Sequence, residues 1–90
     1  MKSIIQDGRY CYLCGSPGPL QLHHCLHGPY RTKADEDGLV VWLCVDCHTN
    51  LHQRGWDDKT LKTIAQTVWM RKTHKSVEEW IRRYGKNYKQ

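Results

Sequence analysis

The 90-residue chain contains no phenylalanine and no apolar run of membrane-spanning length. Its longest apolar run, from Leu39 to Val45, is far shorter than the ~20 residues that a transmembrane helix needs. Residues 1–7 also lack the apolar stretch of a secretory signal, so we expect a cytoplasmic protein without a membrane partner. In the reducing cytoplasm, cysteine pairs are more often metal ligands than disulfides.

A chain of this length needs a source of stability beyond its apolar core. Ninety residues form one domain, which buries a smaller share of its surface than a larger domain does. Small domains are commonly stabilised by disulfides or by a metal ion. The five cysteines and six histidines of the chain supply ligands for such an ion.

Two C-x2-C motifs contain four of the cysteines, Cys11 with Cys14 and Cys44 with Cys47. Each tight turn directs two sulfurs at one point, so we expect the four thiolates to surround one structural Zn²⁺ ion. Two disulfides or a redox-active pair are the alternatives, but the first requires export and the second needs no matched partner pair. The fifth cysteine, Cys25, is expected to be a small buried apolar residue.

The apolar pattern before the second cysteine pair predicts two strands. Residues 20–24 begin with the alternation of a half-buried strand, and residues 39–43 form a β-rich run. We expect the two strands to pair like a hairpin. Residues 28–37 are polar and contain Gly28-Pro29, so we expect them to form a long exposed connection.

Three helices are predicted after the second cysteine pair, which makes the fold class small α+β. The first should end at Gly55, and Asp57 or Asp58 should cap the second. A capping-box sequence predicts that the third begins after Ser76, and Gly85 is its expected end.

Four histidines have the spacing of metal ligands. His23 and His24 are adjacent on the first strand, so their side chains should point to opposite sides. His48 and His52 are one helical turn apart, which allows both imidazoles to bind one ion. Three histidines around a divalent ion leave positions for water and a phosphate oxygen, and a fourth can accept a proton. The alternative is that they are ordinary histidines beside a zinc site.

Positive charge is concentrated in the C-terminal part of the chain. The net charge is +5, residues 1–45 are neutral overall, and residues 59–90 carry nine basic and two acidic side chains. This asymmetry suits a polyanion such as DNA, although a solvated basic helix surface has the same composition. We divide the single domain, residues 1–90, into a core over 10–54 and a basic helical tail over 57–90.

Residues 22–24, LHH, and residues 43–52, LCVDCHTNLH, carry a resemblance to a known family. With the first cysteine pair they resemble the core of HNH endonucleases, the ββα-metal or His-Me finger nucleases, over residues 10–54. The resemblance implies a ββα-metal core stapled by a four-cysteine zinc site, with a C-terminal helical extension. It also implies a DNA endonuclease of low sequence specificity, similar to short HNH proteins of bacteriophages and prophages, located in the host cytosol and with packaging or recombination proteins as candidate partners.

The resemblance assigns roles to individual residues. His24 matches the general base, and His23, His48 and His52 match ligands of a catalytic divalent ion, which could be Mg²⁺, Mn²⁺, Ni²⁺ or Zn²⁺. Seven basic residues are the predicted contacts to the DNA backbone: Arg31, Lys33, Arg54, Lys59, Lys62, Arg82 and Arg83.

The chain departs from the family motif at its middle letter. The family asparagine, which braces the loop of the general base, would fall near Leu39. Asp37 or a backbone group is therefore expected to replace it.

Two other functions are compatible with the same residues. A non-catalytic zinc-knuckle module that binds DNA or acts as an adaptor would keep the cysteines and the basic tail without needing His24. A degenerate nuclease, active only in a larger packaging or recombination assembly, is the third interpretation. The oligomeric state is not predicted.

Overall fold

The computed structural model describes residues 3–55 and 57–89. It is a small α+β fold in which a two-stranded sheet is combined with four α-helices. In chain order the elements are β1 (Leu20–His24), a 3-10 turn (Gly28–Tyr30), α1 (Arg31–Asp37), β2 (Val40–Cys44), α2 (Val45–Arg54), α3 (Asp58–Thr73) and α4 (Val77–Tyr84). Within the described ranges, no helix has the length and apolar character needed to cross a membrane.

The two predicted strands pair antiparallel, as expected. Leu20 lies opposite Cys44 and His24 lies opposite Val40, so β2 begins one residue later than predicted. His23 lies opposite Val41, and both side chains are buried. The register therefore directs His23 into the interior on the same face as an apolar residue of the core.

The prediction for residues 28–37 was wrong, because this connection folds into the 3-10 turn and α1. Ala34 is the only buried residue of α1, so the helix has no apolar stripe to reveal it in the sequence. Gly38 ends the helix in the left-handed region at φ +74°, and the Leu39 amide then donates to the Ala34 carbonyl at 2.8 Å. The tight turn at Gly38 and Leu39, between α1 and β2, places α1 beside the sheet.

The second cysteine pair lies at the start of α2. Cys44 is the last residue of β2 and the N-cap of α2, and its sulfur accepts a hydrogen bond from the Cys47 amide at 3.4 Å. The helix ends at Gly55, as predicted. The second cysteine pair therefore lies at the N-terminus of the same helix that carries the H-x3-H pair.

The last two helices begin where the sequence predicts, but only one of them has the predicted side-chain cap. Asp57 is at the N-cap of α3, but it has φ +64° and its side chain makes no capping hydrogen bond. Ser76 caps α4 as predicted, since its hydroxyl accepts from the Glu79 amide at 3.2 Å. Gly85 ends α4.

Aromatic residues of α3 and α4 fill much of the core in place of phenylalanine. The rings of Trp69 and Trp80 have centroids 5.5 Å apart, and Tyr84 lies 4.3 Å from Trp80. All three side chains are buried. The carboxylate of Asp37, at the end of α1, accepts hydrogen bonds from Trp69 Nε1 at 3.0 Å, from the Tyr84 hydroxyl and from Arg83. This carboxylate connects α1 to the two tail helices.

Candidate metal centres

The four cysteines of the C-x2-C motifs come together at one end of the sheet. Cys11 and Cys14 precede β1, whereas Cys44 and Cys47 lie at the junction of β2 and α2. Their sulfur atoms all lie within 4.8 Å of one another, and those of Cys14 and Cys44 are 3.7 Å apart. A tetrahedral ion with Zn–S bonds of about 2.3 Å separates its sulfurs by about 3.8 Å. The cluster could therefore hold a structural zinc ion.

In each cysteine pair, one backbone amide points at a sulfur atom. The Cys14 amide points at the Cys11 sulfur at 3.5 Å, as the Cys47 amide does at the Cys44 sulfur. Burial raises the pKa of Cys11, but backbone hydrogen bonds from Cys44, Cys14 and Leu13 outweigh it and lower that pKa to about 6. The remaining cysteine, Cys25, is fully buried, and burial raises its pKa to about 12, which agrees with an inert apolar role.

A second cluster joins β1 to α2. Ring nitrogens of His23, His48 and His52 lie within 4.8 Å of one another. The Nε2 atoms of His48 and His52 are 3.1 Å apart. Two nitrogen ligands of one ion, at bond lengths of about 2.1 Å, are separated by about 3.0–3.4 Å. The pair on α2 therefore has the spacing of two ligands on one ion.

His23 contributes a buried nitrogen that lacks a protein partner. Its side chain is 3% exposed, and Nε2 has no hydrogen-bond partner among the residues that the structure describes. Burial, reinforced by the neighbouring His27, lowers the pKa of His23 to about 4, so the ring is neutral at pH 7. An unsatisfied buried polar group costs about 1–3 kcal/mol, and a metal ion would satisfy this lone pair.

A further pair, missed by the sequence analysis as a ligand set, adjoins the same histidine. His27 Nε2 lies 2.8 Å from the Asp58 Oδ1 atom, and both residues have ligand atoms within 4.8 Å of one on His23. The pKa of Asp58 is lowered: burial opposes the shift, but hydrogen bonds from His27 and Lys62 outweigh it. No sequence signal links these residues, because they are 31 positions apart and on different elements.

His24 faces another partner, as the strand alternation predicts. Its Nε2 atom lies 2.9 Å from Oδ1 of Asp35, on α1. A carboxylate accepts only, so this contact selects the tautomer with hydrogen on Nε2 and a free lone pair on Nδ1. Asp35 was not predicted, because the helix that carries it was not.

One cleft is lined both by His24 and by the three histidines predicted to bind a metal ion. It has a volume of about 340 Å³. Its lining comprises the predicted base, the three predicted ligands and four neighbours: His24, His23, His48, His52, Leu22, His27, Gly28 and Arg31. The cleft thus brings the predicted base, the three predicted ligands and the Arg31 side chain around one volume.

A backbone group lies where the sequence predicts a replacement for the asparagine of the HNH motif, and it contacts the residue after His24. The Cys25 amide donates to the Leu39 carbonyl at 3.0 Å. Asp37, which was predicted to replace the asparagine of the HNH motif, uses its carboxylate on Trp69, Arg83 and the Tyr84 hydroxyl instead.

The predicted DNA-contact residues fall into separate groups. Arg31 lines the histidine cleft, and Lys59 and Lys62 line a neighbouring cleft at the start of α3. Arg54 is the last residue of α2, and Arg82 is exposed on α4.

Arg83 and Lys33, both predicted DNA contacts, are engaged within the protein between α1 and α4. Arg83 forms ion pairs with Asp37 at 2.7 Å and with Glu36 at 3.2 Å. The Lys33 ammonium group donates to the Arg83 carbonyl at 3.3 Å. These contacts fasten α1 to α4.

Searches of protein-family models, curated proteins and solved structures find no match to this chain. Functional assignment therefore depends on the two ligand clusters and the histidine cleft.

Proposed function

We propose that this protein is a metal-dependent endonuclease of the HNH type, which hydrolyses DNA phosphodiester bonds with low sequence specificity. The observation that carries the proposal is the buried, unpartnered Nε2 of His23 beside His48 and His52, in a cleft that also contains His24. In this proposal β1, β2 and α2 are the ββα-metal core. A closed set of four cysteines suits a structural zinc, whereas three histidines suit a working ion.

His23, His48 and His52 would hold one divalent ion. When bound, such an ion supplies positive charge that polarises a phosphate oxygen and stabilises charge on the leaving oxygen. The three imidazoles come from β1 and from one face of α2, so rigid elements position them. The neutral state of His23 at pH 7 keeps its nitrogen available. Imidazole ligands suit Zn²⁺ and Ni²⁺, and Mg²⁺ or Mn²⁺ remain candidates.

His24 would act as the general base. Asp35 accepts the Nε2 hydrogen, so the Nδ1 lone pair is the site that receives a proton from the attacking water. The carboxylate then lies against the imidazolium that forms and stabilises its charge. Asp35 is in this scheme a positioning residue for His24.

Contacts to phosphate rather than to bases explain the expected low specificity. Arg31 lies in the histidine cleft and would attract the phosphodiester. Lys59 and Lys62 lie in the adjacent cleft and would hold the neighbouring backbone. Such contacts fix position without reading sequence.

A plasmid-nicking assay with Mg²⁺, Mn²⁺ or Ni²⁺ tests the proposal. We expect metal-dependent nicking by the wild type and a loss of roughly 100-fold or more in His24→Ala, because general-base catalysis contributes about 10²–10⁴-fold. His74→Ala is the matched control, since His74 is exposed at the end of α3 and does not line the histidine cleft. If the wild type binds DNA but cuts it with none of these metals, the non-catalytic DNA-binding interpretation replaces this one.

A further inference from the structure

The tail after α4 is fastened to α3 by a buried glutamine. Gln66 is fully buried, and its side-chain oxygen accepts from the Tyr88 amide at 2.7 Å. Its side-chain nitrogen donates to Asn87 Oδ1 at 2.8 Å, and the Thr63 hydroxyl donates to the Tyr88 carbonyl at 3.0 Å. Both polar groups of this buried amide thus contact residues 87–88, one through the Asn87 side chain and one through the Tyr88 backbone, and hold this segment against α3.

The Tyr88 side chain separates two clefts, which we call together the Tyr88 surface. One has a volume of about 340 Å³ and is lined by Asp58, Lys59, Lys62, Lys86, Asn87 and Tyr88. The other has a volume of about 390 Å³ and is lined by Lys59, Thr60, Thr63, Ile64, Tyr88 and Lys89. A half-buried aromatic residue therefore lines both clefts, and each cleft also has lysines in its lining.

The charge of this surface is positive and largely uncompensated. The ammonium groups of Lys62 and Lys86 lie 5.6 and 5.7 Å from the centroid of the Tyr88 ring. Lys62 is paired with Asp58 at 3.0 Å, but Lys59, Lys86 and Lys89 have no ion pair with any residue the structure describes. The combination suits a polyanion that also carries flat rings.

The Tyr88 surface adjoins the candidate metal site through Asp58. Asp58 lines the first of its clefts and contacts His27 at 2.8 Å. The His27 ring is 5.3 Å from that of His23. A strand that lies on the lysines would therefore reach the histidine cleft by way of Asp58 and His27.

We propose that the Tyr88 surface binds a single-stranded segment of DNA, with an unpaired base stacked on the Tyr88 ring and phosphates on Lys59, Lys86 and Lys89. A duplex covers the faces of its bases by stacking them on their neighbours, whereas a single strand exposes a face that an aromatic ring can contact. This inference rests on the proposed function and names its substrate class, which is DNA with unpaired nucleotides next to the cleavage site.

Fluorescence anisotropy with labelled oligothymidylate and a labelled duplex of the same length, without added divalent metal, tests the inference. We expect the wild type to bind the single strand more tightly. Tyr88→Leu should weaken single-strand binding by roughly 10-fold or more and leave duplex binding nearly unchanged. Tyr88→Phe keeps the ring and should bind like the wild type, since the hydrogen bonds that anchor Tyr88 are made by its backbone.

A second measurement uses exposed lysines and does not depend on the fold of the Tyr88 variant. Lys59→Gln or Lys86→Gln should each reduce the salt dependence of single-strand binding, with the log–log slope smaller by roughly 0.7. Lys72→Gln is the control, because Lys72 is exposed on α3 and lines neither cleft. Equal affinity for single strand and duplex, wild-type affinity in a folded Tyr88→Leu variant, or unchanged slopes would overturn the inference.

The two proposals, the nuclease activity and the Tyr88 surface, fail with different experimental results. Because binding is measured without cleavage, Tyr88-dependent binding of the single strand together with an inactive wild type counts against the nuclease alone. Metal-dependent nicking of plasmid together with wild-type binding by Tyr88→Leu counts against the Tyr88 surface alone.

Discussion

At the residue scale, His23 is shared by two sets of candidate ligands. It lies with His48 and His52 in one set and with His27 and Asp58 in the other. The Nε2 atoms of His48 and His52 face each other at 3.1 Å, whereas His27 Nε2 already contacts a carboxylate. The set of His23, His48 and His52 therefore has more nitrogen lone pairs available to one ion. His27 and Asp58 would then support the site from beside His23 without binding the ion.

Metal titration of the zinc-loaded protein distinguishes the two sets. We expect His48→Ala to abolish binding of a second divalent ion, because it removes a direct ligand. His27→Ala should weaken that binding by roughly 10–100-fold, the usual cost of removing a residue that supports the ligands. Isothermal calorimetry with Ni²⁺ measures both.

His74→Ala again serves as the control, since its side chain is exposed and belongs to neither ligand set. If His27→Ala abolishes the ion and His48→Ala retains it, the ion belongs to the set that contains Asp58.

The sequence correctly predicted the four-cysteine cluster and the grouping of His23 with His48 and His52, and local spacing explains the pairs within each motif. Cys11 with Cys14, and His48 with His52, are brought together by a turn or by one helical turn, so three or four positions suffice to pair them. The pairing of His24 with Asp35, and of His27 with Asp58, depends on where α1 and α3 return to the sheet. The positions of α1 and α3 against the sheet depend on the packing of the whole chain, and no short sequence motif indicates them.

At the element scale, α1 links the candidate site to the tail helices. Asp35 and Asp37 are two residues apart and therefore point to different sides of the helix. Asp35 contacts His24, and Asp37 contacts α3 and α4 through Trp69 and Tyr84. The sequence concealed this element because a short helix with one buried residue, Ala34, has no apolar periodicity.

Asp37→Ala tests the junction of α1 with the tail. The substitution leaves the Trp69 indole nitrogen, the Tyr84 hydroxyl and the Arg83 guanidinium without their shared acceptor. We expect the free energy of unfolding to fall by about 3 kcal/mol, since each lost partner of a largely buried donor costs about 1 kcal/mol or more. Urea unfolding in the presence of zinc, followed by tryptophan fluorescence, measures the change.

Glu36→Ala provides the matched control for this variant. Glu36 pairs with the same Arg83, but its side chain is 63% exposed. A surface pair of this kind contributes about 0–1 kcal/mol. Similar small losses in the two variants would contradict a structural role for Asp37.

At the scale of the whole molecule, the cysteine cluster ties together segments that are distant in sequence. Cys11 and Cys14 lie before β1, and Cys44 and Cys47 lie where β2 passes into α2. The Tyr12 amide also donates to the Trp42 carbonyl of β2 at 2.8 Å. Because α2 contains Cys47 as well as the H-x3-H pair, a metal at the cysteines would fix the position of the histidine cleft as well as the fold.

Removal of the cysteine-bound metal should unfold the molecule. A structural zinc contributes on the order of 10 kcal/mol, which is comparable to the entire stability of a small domain. We expect the wild type to contain one tightly bound zinc ion per chain, and Cys14→Ser to lose both the zinc and the far-ultraviolet circular dichroism of the helices. Cys25→Ala is the control, because Cys25 is buried outside the cluster and its loss should cost only about 1 kcal/mol with the zinc retained. A Cys14→Ser protein that is free of zinc and as stable as the wild type would show that the apolar core alone maintains this fold.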